Sequence, residues 1–133
     1  MQHAPLIATG LEQDQRPWGW YHVLAVADHF KVKMLEVLPK SRLSLQRHQH
    51  RQEYWVVVQG VAEVTVDEQV QTLTIGQSVH VPVGAVHRLA NPGDTLLLVA
   101  EIATGVYVGE DDIERLADDY QRAPPAVSDP RTP

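Results

Sequence analysis

Short stretches of alternating apolar and polar residues recur along most of the chain, about eight to twelve residues apart. The alternation is clearest in residues 61–66 (VAEVTV) and 70–75 (VQTLTI), and glycine, proline, asparagine or aspartate separates neighbouring stretches. Regular short strands divided by turn residues predict an all-β sandwich or barrel. The predicted strands are residues 22–27, 30–38, 43–50, 53–59, 61–67, 70–75, 78–82, 86–90 and 95–104.

A single short helix is predicted near the C-terminus. Asp111 is a suitable N-cap, and Glu114 three residues later completes a capping-box pattern. Apolar residues then follow at helical spacing, which predicts a helix that packs one face on the sheet or on a second subunit. That face contains Ile113, Leu116, Ala117 and Tyr120.

The 133 residues predict one domain, which we place at residues 16–122. Residues 1–15 are polar and aperiodic, and we expect an arm that orders only against a partner or the domain surface. Residues 123–133 hold four of the nine prolines, which predicts a disordered tail.

Composition narrows the classes of function. The net charge of −6 argues against a nucleic-acid partner, and no apolar run approaches the ~20 residues of a membrane span. The N-terminal residues lack the basic and apolar regions of a signal peptide, so we expect a cytoplasmic protein. With no cysteine, any zinc must be held by histidine, carboxylate or amide groups.

Charge is unevenly distributed along the chain. Residues 31–51 are basic and residues 110–119 are acidic within an acidic protein. A locally basic segment suits a small anionic substrate. Lysines placed at exposed strand edges to block pairing would give the same pattern.

An aromatic cluster at residues 16–21 (RPWGWY) contains a proline and a glycine that preclude a helix. Two tryptophans this close together usually cover a hydrophobic edge, and the alternative is an aromatic wall of a sugar or ligand site.

Histidine and carboxylate side chains are concentrated between residues 42 and 60. If residues 43–50 form a strand, Gln46, His48 and His50 lie on one face, and the turn that follows brings back Glu53. His87, on a distant antiparallel strand, can complete a metal site. Two ligand sets fit this spacing: His48, His50 and Glu53, or Gln46, His48 and Glu53, each joined by His87.

Two motifs in the chain resemble those of the cupin superfamily. The second cupin motif, G-x5-P-x-G-x2-H-x3-N, is matched at every fixed position by Gly76, Pro82, Gly84, His87 and Asn91. The first, G-x5-H-x-H-x3,4-E-x6-G, is matched by Glu53 and Gly60, and counting back from Glu53 places His48 and Gln46 at the two histidine positions. The leading glycine is absent, and His50 becomes an additional histidine. The resemblance implies a cupin double-stranded β-helix, a jelly-roll barrel.

The chain further resembles type II mannose-6-phosphate isomerase, which is also the C-terminal domain of bifunctional enzymes with mannose-1-phosphate guanylyltransferase activity. The resemblance covers residues 16–122 and implies the isomerase module alone. It is carried by RPWG-x-Y at 16–21, FKVK at 30–33, LSLQ-x-H-x-HR-x-E at 43–53, WVVV at 55–58, P-x-G-x-x-HRL at 82–89 and Y-x-GEDDI at 107–113.

This resemblance implies a metal-dependent isomerase that interconverts mannose 6-phosphate and fructose 6-phosphate through an enediol. By analogy with the other sequence type of phosphomannose isomerase, Gln46, His48, Glu53 and His87 are the metal ligands. Their nitrogen and oxygen donors suit zinc, with manganese, iron, cobalt or nickel as alternatives.

For proton transfer the candidates are His50, then Lys33 and Glu101, although His50 could instead be a ligand or a hydrogen-bonding neighbour of one. For the substrate phosphate they are Arg42, Arg51 and Arg88, with Lys33 as a further possibility. Two other functions stay open: a sugar- or metabolite-binding cupin without turnover, and a cupin of other chemistry such as a dioxygenase. We expect a homodimer, with the aromatic cluster offering an apolar surface.

Overall fold

The computed structural model describes residues 12–120, which form twelve β-strands and no helix. The strands are β1 (Gln13–Arg16), β2 (Gly19–Ala27), β3 (Phe30–Val37), β4 (Ser41–Arg42), β5 (Leu45–Arg47), β6 (Arg51–Gln59), β7 (Ala62–Val66), β8 (Gln69–Leu73), β9 (Ser78–Val81), β10 (His87–Asn91), β11 (Leu97–Gly105) and β12 (Glu114–Ala117). The predicted all-β architecture is confirmed. None of the described residues belongs to a helix long and apolar enough to cross a membrane.

The strands form two antiparallel sheets. The first has the order β1-β2-β3-β11-β6-β9 and the second the order β12-β5-β10-β7-β8, with β4 also paired to β10. Alternate side chains of each strand face the other sheet and build one core between them, as the period of two requires. Trp55, Val57 and Val99 enter this core from the first sheet, and Val64 and Leu89 from the second.

The predicted C-terminal helix is wrong. Residues 114–117 form strand β12, which pairs with β5. Asp111, the predicted N-cap, precedes no helix. The carboxylate of the neighbouring Asp112 accepts hydrogen bonds from the backbone N–H groups of Gln49 and His50, at 2.9 and 3.0 Å. Pairing with an open strand edge outweighs the local helical pattern, because tertiary contacts commonly override weak helix propensity.

The last residues of the predicted N-terminal arm are ordered against the domain. Residues 13–16 form β1 and pair with β2, so the last part of the predicted arm belongs to the first sheet. The remainder of the arm, residues 1–11, and the predicted tail at 123–133 lie outside the described residues.

The aromatic cluster contributes mainly to the core. Trp18 and Tyr21 are buried, whereas Trp20 is 36% exposed. The prediction that it covers a hydrophobic edge therefore holds for Trp18 and Tyr21. Only Trp20 of these three offers apolar surface to a partner.

The connection between β11 and β12 closes one end of the space between the sheets. We call residues 106–113 the closing segment. Its backbone carbonyls accept hydrogen bonds from side chains of the interior, Gly109 O from Arg51 at 3.2 Å and Asp112 O from His48 at 2.5 Å. The closing segment is thus the lid of the interior described next.

Candidate metal centre and the charged interior

Three buried side chains converge between the sheets: His48 just after β5, Glu53 on β6 and His87 on β10. One ligand atom of each lies within 4.8 Å of the others. We call these residues the triad. Trp55 Nε1 donates a 2.9 Å hydrogen bond to Glu53 Oε1 and helps to fix the carboxylate. The triad brings together two imidazoles and one carboxylate in a dry environment.

Hydrogen bonds set the orientation of both imidazoles. His87 Nδ1 lies 2.9 Å from the carbonyl oxygen of Ala85, so it carries the proton and donates. Its Nε2 is buried, has no hydrogen-bond partner among the described residues, and lies 3.9 Å from Glu53 Oε1. The lone pair of this nitrogen is therefore available to a ligand near the carboxylate.

His48 has oxygen acceptors on both sides of its ring. Its Nδ1 lies 2.5 Å from Asp112 O, and its Nε2 lies 3.0 Å from Glu53 Oε2. Arg51 Nη2 lies 3.4 Å from His48 Nε2 and 2.9 Å from Glu53 Oε2, so Nε2 can accept from the guanidinium while Nδ1 donates to Asp112 O. A divalent metal would satisfy His48 Nε2 and the partnerless His87 Nε2 at once. The triad therefore fits a divalent cation.

The charge states of His87 and Glu53 also favour metal binding. Burial lowers the pKa of His87, which keeps the imidazole neutral and able to bind a metal. Burial alone would raise the pKa of Glu53, but the hydrogen bond to His48 and the charge of Arg51 outweigh it and hold that pKa well below its usual value.

Gln46 lies beside the triad. It is the register partner of His87 across β5 and β10, and it lines the same small cavity as His48. Its Oε1 accepts a 3.2 Å hydrogen bond from Ser44. An amide oxygen is therefore available next to the two imidazoles.

A second set of charged side chains surrounds the triad. Lys33 Nζ lies 2.9 Å from Glu110 Oε1 and 3.4 Å from Glu101 Oε2. The Arg51 guanidinium donates from Nε to Glu53 Oε2 at 2.9 Å. Burial lowers the pKa of Lys33, but the charges of Glu101 and Glu110 outweigh it, so the pKa is raised and the ammonium stays charged.

Glu101 is a buried carboxyl group whose pKa lies near neutrality. It lies on β11 between Lys33 and Trp55 in register. Burial, and then the charge of Glu53, raise its pKa to about 7, and Lys33 offsets only part of this. Such a group exchanges a proton near neutral pH, as general acid–base catalysis requires.

The space between these side chains is small. A cavity of about 60 Å³ is lined by members of both groups, including Gln46, His48 and Glu101. A wider groove of about 530 Å³ lies on the other side of the closing segment, lined among others by His50, Tyr107 and Glu114. Ile113 lines both spaces.

The model of the family described as "Mannose-6-phosphate isomerase C-terminal" matches residues 8–118. The chain belongs to this family. It is 51% identical over 113 residues to the alginate biosynthesis protein AlgA of Pseudomonas aeruginosa. The aligned region covers 84% of this chain and 24% of AlgA. It is 48% identical over 110 residues to a mannose-1-phosphate guanylyltransferase of Sinorhizobium fredii, covering 83% and 22%. The chain thus spans about a quarter of the length of these relatives.

Solved structures confirm the cupin fold. An RmlC-like cupin from Shewanella frigidimarina superposes with a TM-score of 0.67 at 19% identity, over 84% of this chain and 98% of that one. The cupin domain of Schizosaccharomyces pombe Cnp3 superposes with a TM-score of 0.66 at 16% identity, over 72% and 69%. At this identity the likeness concerns the fold alone.

Within this member of the mannose-6-phosphate isomerase C-terminal family, His50 lies apart from the triad. Strand β5 ends at Arg47, so the predicted strand over 43–50 stops early and the alternation does not reach His50. Its side chain is exposed, and its ring packs edge-on against Tyr107, with centroids 6.3 Å apart. His48 and His50 are therefore not neighbours on one face.

The three arginines predicted to bind phosphate are also divided. Arg51 is buried beside Glu53, whereas Arg42 and Arg88 belong to the outer face of the second sheet. Arg42 pairs with Asp119 at 2.7 and 2.9 Å, and Arg88 donates to the carbonyl oxygens of Leu43 and Ala117. Only Arg51 of this set is close to the triad.

Two charged residues of the interior were missed from the sequence. Lys31 shares strand parity with Lys33 and could have been found by the period of two. Glu110 lies in the closing segment, where no periodicity exists to indicate which way a side chain points.

Proposed function

We propose that this chain interconverts mannose 6-phosphate and fructose 6-phosphate. The observation that carries the proposal is that a buried carboxyl group with a pKa of about 7, Glu101, shares an interior with the metal-capable triad. The family, described as mannose-6-phosphate isomerase C-terminal, supports the substrate class. One relative is a mannose-1-phosphate guanylyltransferase, and that activity is not part of this proposal.

The reaction moves one proton between two neighbouring carbons. A base removes the proton from C2 of the aldose, the electron pair forms a C1=C2 bond as the C1=O1 π bond breaks, and O1 takes up a proton to give an enediol. Return of the carbon proton to C1, with loss of the O2 hydroxyl proton and formation of C2=O2, gives the ketose, so the proton taken up at O1 is balanced by the one released from O2. We assign the carbon proton to Glu101, because His50 lies outside the interior and the pKa of Lys33 is raised.

A divalent metal held by His48, Glu53 and His87, with Gln46 as the fourth ligand, would supply Lewis-acid stabilisation of negative charge on the substrate oxygens. We propose zinc, with manganese, iron, cobalt and nickel as alternatives for the same donors. Arg51 holds Glu53 in place through its 2.9 Å hydrogen bond, and Trp55 holds the other oxygen.

A coupled assay that follows fructose 6-phosphate from mannose 6-phosphate, combined with metal analysis of the purified chain, tests this proposal. Turnover that a chelator removes and one of these metals restores is the expected result, and Glu101→Gln should lower kcat by at least ~100-fold. Absence of turnover with all five metals would refute the proposal. Binding of mannose 6-phosphate without turnover would identify the sugar-binding cupin instead.

We further propose that the chain forms a cytoplasmic homodimer. The outer face of the first sheet supports dimerisation, since Leu24, Tyr54, Val58 and Ile102 are each more than 40% exposed there. Sedimentation equilibrium should give twice the chain mass, and a monomer mass would contradict this part of the proposal.

A further inference from the structure

Three buried cations surround a carboxylate at the closed end of the interior. Lys31 and Lys33 donate to different oxygens of Glu110, each at 2.9 Å, and Arg51 Nη1 lies 3.9 Å from Glu110 Oε2. We call Lys31, Lys33 and Arg51 the cation cluster. These contacts lower the pKa of Glu110 to about 2, against the effect of burial, so the carboxylate is ionised.

The cations and the carboxylate differ in how firmly they are held. Lys31 and Lys33 lie on β3 and Arg51 on β6, and both strands are paired on each side within the first sheet. Glu110 lies in the closing segment, which forms no strand and exposes Val106 and Tyr107. The cation cluster is therefore a fixed part of the sheet, and the carboxylate is the part that can move.

The position that Glu110 occupies suits a larger anion. A carboxylate offers two oxygens and one charge to three cations, whereas a phosphate monoester offers three oxygens and a charge of about −1.5 to −2. Glu53 and Glu101 also face the cluster, but Glu53 is bound to Arg51, and Glu101 is partly protonated near pH 7. A dianion would neutralise the cation cluster more completely than Glu110 does.

We infer that Lys31, Lys33 and Arg51 form a binding site for a phosphate monoester, and that Glu110 occupies this site until the ligand displaces it. The inference rests on the proposed function for the sugar that carries the phosphate. It keeps Arg51 and Lys33 from the phosphate candidates of the sequence, adds Lys31, and leaves out Arg42 and Arg88.

Space supports displacement of the closing segment. The present cavity of about 60 Å³ is far below the ~300–1,000 Å³ of small-molecule sites. The groove of about 530 Å³ lies directly across Ile113, which lines both spaces. Movement of the segment that carries Glu110 and Ile113 would join them, so one motion frees the cations and makes room for the ligand.

Calorimetric titration of the full chain with inorganic phosphate tests the site without any need for turnover. Glu110→Gln removes the competing charge, and we expect it to bind phosphate about tenfold more tightly than the wild type. Lys31→Met should bind about tenfold more weakly. Glu63→Gln is the matched control, because Glu63 is exposed on β7 and lines neither space, and it should match the wild type.

Unchanged or weaker phosphate binding in Glu110→Gln would overturn the inference, because Glu110 would then organise the lysines for another purpose. Thermal unfolding reports whether this variant keeps its fold. If Glu110→Gln does not fold, Lys31→Met is the deciding variant. Phosphate binding by Lys31→Met equal to that of the wild type then overturns the site.

Competition separates this inference from the proposed function. Mannose 6-phosphate should displace inorganic phosphate, and mannose should not; displacement by mannose overturns phosphate recognition. Tighter phosphate binding in Glu110→Gln without isomerase turnover would support the site and refute the isomerase. Isomerase turnover without tighter phosphate binding in Glu110→Gln would support the isomerase and overturn the phosphate site.

Discussion

Replacement of Glu101 by glutamine should stabilise the metal-free protein at alkaline pH and leave it almost unchanged at acid pH. Glutamine keeps the shape of the protonated carboxyl group and never ionises. The wild type must ionise a carboxyl group buried beside Glu53, at the expense of folding. A chelator is present throughout, because a bound dication would lower the pKa of Glu101.

The pKa of Glu101 sets both the size and the sign of this effect. It rises from 4.5 in the unfolded chain to about 7 in the folded protein. The unfolded chain therefore loses its proton first, and the stability present below pH 4.5 declines as the pH rises through 7. At about 1.4 kcal/mol per unit, this shift makes the wild type about 3 kcal/mol less stable than Glu101→Gln above pH 8.

Urea unfolding at pH 4.5 and pH 8.5, followed by tryptophan fluorescence, measures the difference. At pH 8.5 the midpoint of Glu101→Gln should exceed that of the wild type by about 1–2 M, and at pH 4.5 the two should nearly coincide. Glu63→Gln, which removes an exposed carboxylate on β7, is the control and should shift little at either pH. An equal shift for Glu101→Gln at both pH values would refute a raised pKa.

Three further predictions concern the residues around the triad. His87→Ala should abolish metal retention, measured by elemental analysis, and lower the free energy of unfolding in urea by about 2–4 kcal/mol. A His87→Ala variant that keeps stoichiometric metal would contradict metal binding by the triad. His50→Ala should lower kcat by far less than the ~100-fold that removal of a general base costs, because the His50 ring is exposed beside Tyr107. A ~100-fold loss of kcat in His50→Ala would instead identify His50 as the base. Gly105→Ala should lower the free energy of unfolding by about 1–3 kcal/mol, because the added Cβ would lie 2.8 Å from Arg51 Cα. A melting temperature equal to that of the wild type would contradict this close contact.

The strands were predictable because alternation reports which face is buried. Residues 62–66 and 69–73 form β7 and β8 where the alternating pattern is clearest. The failed helix shows the limit of the same method. Ile113, Leu116 and Tyr120 fit a helical face, yet the partner that decides the outcome is the edge of β5, about seventy residues earlier in the chain. A local pattern contains no information about such an edge.

The candidate site likewise contains residues that sequence patterns could predict and one that they could not. Motif spacing predicted that His48, Glu53 and His87 come together, and the structure places them within 4.8 Å. Parity also shows, in retrospect, that Arg88 faces away from the interior, because adjacent residues of a strand point to opposite faces and His87 points inward. Glu110 could not have been predicted, since a loop residue has no parity and its partners lie 77 and 79 residues away.

Arg51 connects the two halves of this interior. Its guanidinium donates to Glu53 of the triad and to Gly109 O of the closing segment, and it lies near Glu110. A dication within the triad would add two positive charges beside the cation cluster. Those charges favour a dianion over the single carboxylate of Glu110, since the Coulomb energy grows with the product of the charges. Metal binding and anion binding should therefore reinforce each other, and a closing segment that releases Glu110 links the two through Arg51.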